Sequence, residues 1–148
     1  MQRGFRHNGM TTLTRAGQRR LADARALAQR GEAHARGAMY LAGYAVECRI
    51  KARAIEQHRC LTLDHLCTKL SLSRKDVYSH DLSRLVELLF SREALARLAS
   101  SPRTGRAWSR VAAWSSDWRY DSASTTQRNA EQFLDDVRDV KLWIESNL

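Results

Sequence analysis

A chain of 148 residues with 25 Lys+Arg against 16 Asp+Glu, a net charge of +9, has room for one domain around one core, and its 43% hydrophobic and 28% charged residues exclude a disordered polymer. One proline and seven glycines are too few turn residues for a many-stranded sandwich or barrel, so an all-α fold is expected, an antiparallel bundle of four to five helices. No run approaches the ~18–20 apolar residues of a membrane span, residues 1–10 carry no apolar signal segment, and the three cysteines are an odd number, so a cytoplasmic chain with free thiols and no membrane association is expected.

Residues 1–10 mix basic residues with glycine, without a period, and read as a flexible basic tail; 11–148 form one helical domain. A first helix is predicted over 12–30, with Leu13, Ala16, Ala24, Leu27 and Ala28 on one face. Gly31 breaks it, and a second helix is predicted over 32–57. There, Ala38, Leu41, Ala45, Cys48, Ala52 and Ile55 step by threes and fours, a stripe of mostly small residues suited to close helix packing. A parallel stripe of Tyr40, Tyr44, Glu47 and Lys51 puts two aromatic rings and an acid–base pair on an adjacent face.

Residues 58–79 lose the period and read as a long connection with one helical turn in it. A third helix starts near His80, with Ser79 or Asp81 as its cap and Leu82, Leu85, Val86 and Leu89 inward; Ser91 opens a short fourth. A turn over 100–105 leads to a tryptophan-rich helix predicted over 108–120, in which Trp114 and Trp118 are one turn apart and anchor the core. Ser124, Thr125, Thr126 and Gln127 form a capping box before the last helix, where Ala130, Phe133, Val137, Val140 and Ile144 again step by threes and fours. Tryptophan-rich and small-residue faces exceed what a five-helix core must bury, so a homodimer is expected.

The run Gly37 to Ala52 (GAMYLAGYAVECRIKA), then His80-Asp81-Leu82 with Leu85, then Arg119-Tyr120, resembles in order and distance the HEPN family, the higher eukaryotes and prokaryotes nucleotide-binding proteins. The resemblance spans residues 21–148 and implies a compact bundle that commonly dimerises and associates with nucleotides or RNA. Many relatives are ribonuclease toxins or defence proteins, often paired with a minimal nucleotidyltransferase antitoxin. Others have no known activity, and the GYAVECRIKA segment is most similar to those. A dimeric HEPN-like module that binds a nucleotide, an RNA or such a partner in a toxin–antitoxin or defence system is therefore the function expected, with no cofactor. The alternative is a metal-independent endoribonuclease.

The family's catalytic signature is an arginine followed after four to six residues by a histidine, late in the bundle. Here Arg119-Tyr120 is followed by no histidine. Arg53 with His58, Arg59 with His65 and Arg74 with His80 match the spacing elsewhere, roughly what chance placement gives in so arginine-rich a chain. Arg74 and His80 are the catalytic candidates, because His80 opens a helix beside a basic loop: the imidazole as acid or base on a 2′-hydroxyl, the guanidinium on the phosphorane. The competing reading makes His80 a capping or hydrogen-bonding residue and Arg74 a solvated charge.

Tyr44, Glu47, Lys51, Arg119 and Tyr120 are the binding candidates: either a cleft that stacks a base and holds its phosphate, or a buried network in which Glu47 pairs with Lys51 or accepts from Arg119. His58, Cys60, His65 and Cys67 are four nitrogen and sulfur groups, but they lack the two-residue gaps of structural zinc sites, so no metal is expected. No glycine-rich phosphate loop, Gly-x-Ser-x-Gly or His-Glu-x-x-His run is present. Much of the charge excess comes from arginines on outer helix faces, Arg15, Arg19, Arg20, Arg25, Arg30, Arg36, Arg103, Arg106 and Arg110 among them. If it serves RNA, binding falls steeply with salt and centres on the Arg74–His80 loop and Arg119.

Overall fold

The computed structural model describes residues 9–148, and among them the chain is all helical, without a strand. Of the expected basic tail, residues 1–8 lie outside the described residues; Met10 already stands in the first helix. α1 (Met10–Ala28) and α2 (Ala35–Gln57) are joined through Gly31 and a 3-10 turn at Glu32–His34. Gly31 has φ 98°, a backbone region that side chains with a Cβ rarely adopt. α1 buries Gly17, Leu21, Ala24 and Ala28, and α2 buries Ala35, Ala38, Ala42 and Ala45. The small residues let the two helices close on each other: a Cβ on Gly17 would lie 3.0 Å from Cys48 Cβ. Of the predicted α2 stripe, Ala38, Ala45, Ala52 and Ile55 are buried, and Leu41 and Cys48 half-buried.

Residues 58–79 are not an open connection. They hold α3 (Leu63–Leu70) and α4 (Arg74–Val77), each started by a hydroxyl cap: Thr62 accepts from His65 N and Ser73 from Asp76 N, both at 3.1 Å. α5 (Leu82–Leu89) buries Leu82, Leu85, Val86 and Leu89 as predicted; Asp81 caps it, and Ser79 accepts from the Asp81 N–H. α6 (Arg92–Ser100) opens at Ser91, which accepts from Ala94 N.

The predicted helix over 108–120 is instead α7 (Gly105–Ala112), a break at Trp114, and a 3-10 turn over Ser116–Tyr120. Ser115 Oγ accepts from Asp117 N at 3.1 Å, the local side-chain bond that competes with helix continuation. Trp114, freed from the helix, turns into the core at 3% exposure. Trp118 is half-buried, its ring 5.8 Å from Phe133. α8 (Gln127–Asn147) buries Ala130, Phe133, Val137, Val140 and Ile144, the predicted stripe. Its cap is Thr126, which accepts from Asn129 N at 3.0 Å, two residues later than the Ser124 of the predicted box.

α2 lies at the centre, packed on α1, α5 and α8, and α7 packs on α8. One buried acid ties that last pair. Asp136, 2% exposed, receives Arg110 Nε on Oδ2 at 2.6 Å, Arg110 Nη2 on Oδ1 at 2.8 Å and Gln132 Nε2 on Oδ1 at 3.1 Å. Arg110 is thus not only an outer-face charge. Because the carboxylate is buried and the guanidinium half-exposed, the two truncations differ: Arg110→Ala strips a buried charge and costs about 2 kcal/mol, whereas Asp136→Ala lets Arg110 turn to water and costs less. Urea unfolding of both variants checks the order.

Trp108 and Trp114 are buried, and the small-residue faces meet each other inside the chain. The exposed large hydrophobics among the described residues are Met10, Leu61, Tyr120 and Leu142. No helix among the described residues is long and apolar enough to cross a membrane.

Candidate functional site

The polar stripe of α2 holds the most unusual chemistry in the molecule. Glu47 and Lys51 are 6% and 4% exposed. Lys51 Nζ donates to Glu47 Oε1 at 2.7 Å, and His80 Nδ1 lies 2.8 Å from Glu47 Oε2. A carboxylate already holding an ammonium accepts on its second oxygen too, so it is Nδ1 that donates, and the ring's other nitrogen, Nε2, is turned away from the pair. His80 is half-exposed, and among the described residues its Nε2 has no partner.

One turn before Glu47 stands Tyr44. Its hydroxyl meets that of Tyr40 at 3.0 Å. Its ring makes edge contacts with Tyr40, Trp114 and His80, at centroid distances of 5.2, 4.9 and 5.8 Å. Trp114 is fixed in turn, since its Nε1 donates to the Tyr40 carbonyl at 3.0 Å. Burial and the Tyr40 hydroxyl push the Tyr44 phenol well above its ordinary range, with Arg119 acting in the opposite direction. His80, Trp114, Lys75, Ser79 and Ser115 line an open groove of about 490 Å³.

The structure brings Tyr44, Glu47, Lys51 and His80 together and places Arg119 near the two phenols. It does not give Glu47 to Arg119, whose guanidinium lies 4.7 Å from the ring centroid of the exposed Tyr120. Nor does any described contact join Arg74 to His80. Arg74 pairs with Asp64 and lies 4.6 Å from the Tyr78 ring, and Asp64 also accepts from the Tyr78 hydroxyl at 3.0 Å. Lys51 Nζ is 5.9 Å from that same ring. Asp64 on α3 and Tyr78 at the end of α4 thus hold Arg74 away from His80.

The four nitrogen and sulfur groups of residues 58–67 are used locally. His58 Nε2 meets the Leu89 carbonyl at 2.8 Å, His65 Nδ1 accepts from Leu61 N at 3.2 Å, and the Cys60 and Cys67 thiols point to the His58 and Ser73 carbonyls. Among the described residues no group of three metal-ligating side chains converges. Sequence reading missed Lys75, Ser115 and Trp114 as groove walls. Gly43, which makes room for Trp114, was the available signal.

Burial, with Glu47 adding to it, pushes the Cys48 thiol up from 9.0 to about 11. The folded value exceeds the unfolded one, so the unfolded chain loses this proton first. Stability is then full below about pH 9 and falls as pH rises toward about 11, and the raised Tyr44 phenol extends the fall. Urea midpoints across this range should decline in wild type and decline less in Cys48→Ala.

Comparison with protein-family models, with curated proteins and with solved structures finds no match for this chain. The fold and the site thus define its class by themselves: an all-helical protein with a buried acid–base pair holding a histidine at an open groove.

Proposed function

We propose that this chain is a HEPN-like module that binds RNA or a nucleotide on the face formed by Tyr40, Tyr44, His80 and Arg119. The observation that carries the reading is the buried Lys51–Glu47 pair, which holds His80 against the Tyr44 ring and at a groove that Trp114 also lines, while the chain as a whole carries +9. Aromatic edges and cations on one face suit a base and its phosphate. The resemblance adds a context, a toxin–antitoxin or defence pair, and a protein partner, a nucleotidyltransferase.

Fluorescence anisotropy with a single-stranded oligoribonucleotide tests it. Affinity should fall with salt, each phosphate contact contributing about 0.7 to the log–log slope. His80→Ala and Arg119→Ala should each weaken binding by about tenfold at low salt, whereas Arg15→Ala on α1 should change it little. Equal losses in all three variants would remove the assignment to this face.

One observation favours a second reading. A buried carboxylate on Nδ1 with Nε2 open is the arrangement of an oriented general base, so the alternative of a metal-independent endoribonuclease centres on His80 with Glu47 rather than on His80 with Arg74. Incubating the same RNA with chelator present separates the two: cleavage that vanishes in His80→Ala and persists in Arg74→Ala makes the chain an enzyme.

A further inference from the structure

Between α1, α2 and α8 lies a pocket of about 40 Å³ lined in part by Thr14, Gly17, Gln18, Arg49, Lys141 and Glu145. A water takes roughly 10–15 Å³, so the space suits about three waters or one small anion.

The charges around it do not balance. Two cations face one carboxylate, and that carboxylate, on Glu145, is itself exposed. Arg49 Nε stands 3.2 Å from Glu145 Oε1, an ion-pair distance, yet this buried nitrogen makes no hydrogen bond. The Lys141 ammonium is half-buried and, among the described residues, has no hydrogen-bond or ion-pair partner. Buried donors without acceptors are costly, and native proteins seldom leave them so. Burial holds the Lys141 ammonium below its ordinary range; Glu145 opposes this, while Arg49 and Arg25 add to it. Arg20, which also faces Cys48, is spoken for by Asp23 at 2.9 Å.

The lining is thus rich in donors: a guanidinium, an ammonium, the hydroxyl of Thr14 and the carboxamide of Gln18. Gly17 keeps the wall free of a side chain. From this geometry we infer that the α1–α2–α8 cavity is an oxyanion site, taking a phosphate group between Arg49 and Lys141. A guanidinium and an ammonium lining the same space supply two positive charges and several donors, which suits the multiple charge and several oxygens of a phosphate. The phosphate comes either from free orthophosphate or from a nucleic-acid backbone, and the site is separate from the His80 face.

Thermal unfolding of the full chain in sodium phosphate, against sodium chloride at matched ionic strength, is the test, because phosphate also stabilises proteins without a site. Wild type should show a saturable rise in Tm. Lys141→Gln, which removes an unpaired charge and should fold at least as well, should weaken apparent phosphate affinity by at least about tenfold, the loss of one charge-assisted hydrogen bond. Glu145→Gln removes the competing carboxylate and should tighten it, and His80→Ala should leave it unchanged. A rise that does not saturate through tens of millimolar, or one equal in wild type and Lys141→Gln, overturns the site. Millimolar phosphate displacing a bound oligoribonucleotide from wild type but not from Lys141→Gln assigns the anion to a backbone phosphate; no displacement, with saturable phosphate binding retained, assigns it to free phosphate.

Discussion

Gly43→Ala should destabilise the protein by about 3 kcal/mol or more, the upper part of the range for overpacking a core. A Cβ there would lie 2.1 Å from Trp114 Nε1, 2.2 Å from Cε2 and 2.3 Å from Cδ1. Neither partner has room to yield. Gly43 is buried mid-helix in α2, and Trp114 is buried, bonded through Nε1 to the Tyr40 carbonyl and packed at 4.9 Å on Tyr44. The indole is rigid, so relief needs α2 or the break after α7 to move. Trp114→Leu removes the ring and leaves a void, costing about 3 kcal/mol by itself, but it also opens the space that alanine needs. The double variant should therefore be markedly more stable than the sum of the single effects. Urea unfolding gives all four corners of the cycle, and strict additivity would mean that the clash is not the cause. Since Trp114 is also a wall of the groove, Gly43→Ala should disturb ligand binding even where the fold survives.

Removing Glu47 is the second large change. Glu47→Ala leaves the Lys51 ammonium, 4% exposed, without its acceptor and frees His80. Breaking a buried pair from one side costs about 3–5 kcal/mol, mostly from the stranded charge. The counterpart is sharper: Glu47→Leu with Lys51→Met replaces both members by apolar groups of similar volume and should recover most of that loss. His80→Ala, at a half-exposed position, should cost below about 1 kcal/mol. The Leu/Met double variant then separates stability from function. It folds, but His80 has lost the carboxylate that orients it, so RNA affinity should drop toward that of His80→Ala. Full affinity in that variant would show that the pair serves the core alone.

The sequence carried the parts of this arrangement that lie along one helix. Tyr40, Tyr44, Glu47 and Lys51 step at helical spacing, and their shared face, including the Lys51–Glu47 bond, follows from that spacing. The α8 stripe from Ala130 to Ile144 was legible for the same reason. What it did not carry depends on distant packing. His80 reaches Glu47 across 33 residues, and the choice of His80 over Arg119 as the third member is made where α5 docks on α2. Arg74 was drawn toward His80 by spacing alone; the short α3 and α4, with three buried residues and one, give too few apolar positions to show a period, and it is Asp64 on α3 that claims the guanidinium. The Ser73–Asp76 cap was readable as a helix start. The tryptophan spacing misled in the opposite sense, because Trp114 and Trp118 sit on either side of a helix break, at Ser115.

If, as proposed, the face carrying His80, held by Glu47, meets RNA, the histidine itself should report it. With the histidines isotopically labelled, the ring resonances of the full chain can be followed as a single-stranded oligoribonucleotide is added at low salt. The His80 ring signals should shift progressively to saturation, those of His34 and His65 should stay nearly still, and Arg119→Ala should weaken the titration. RNA that binds the protein while His80 remains unshifted would contradict it.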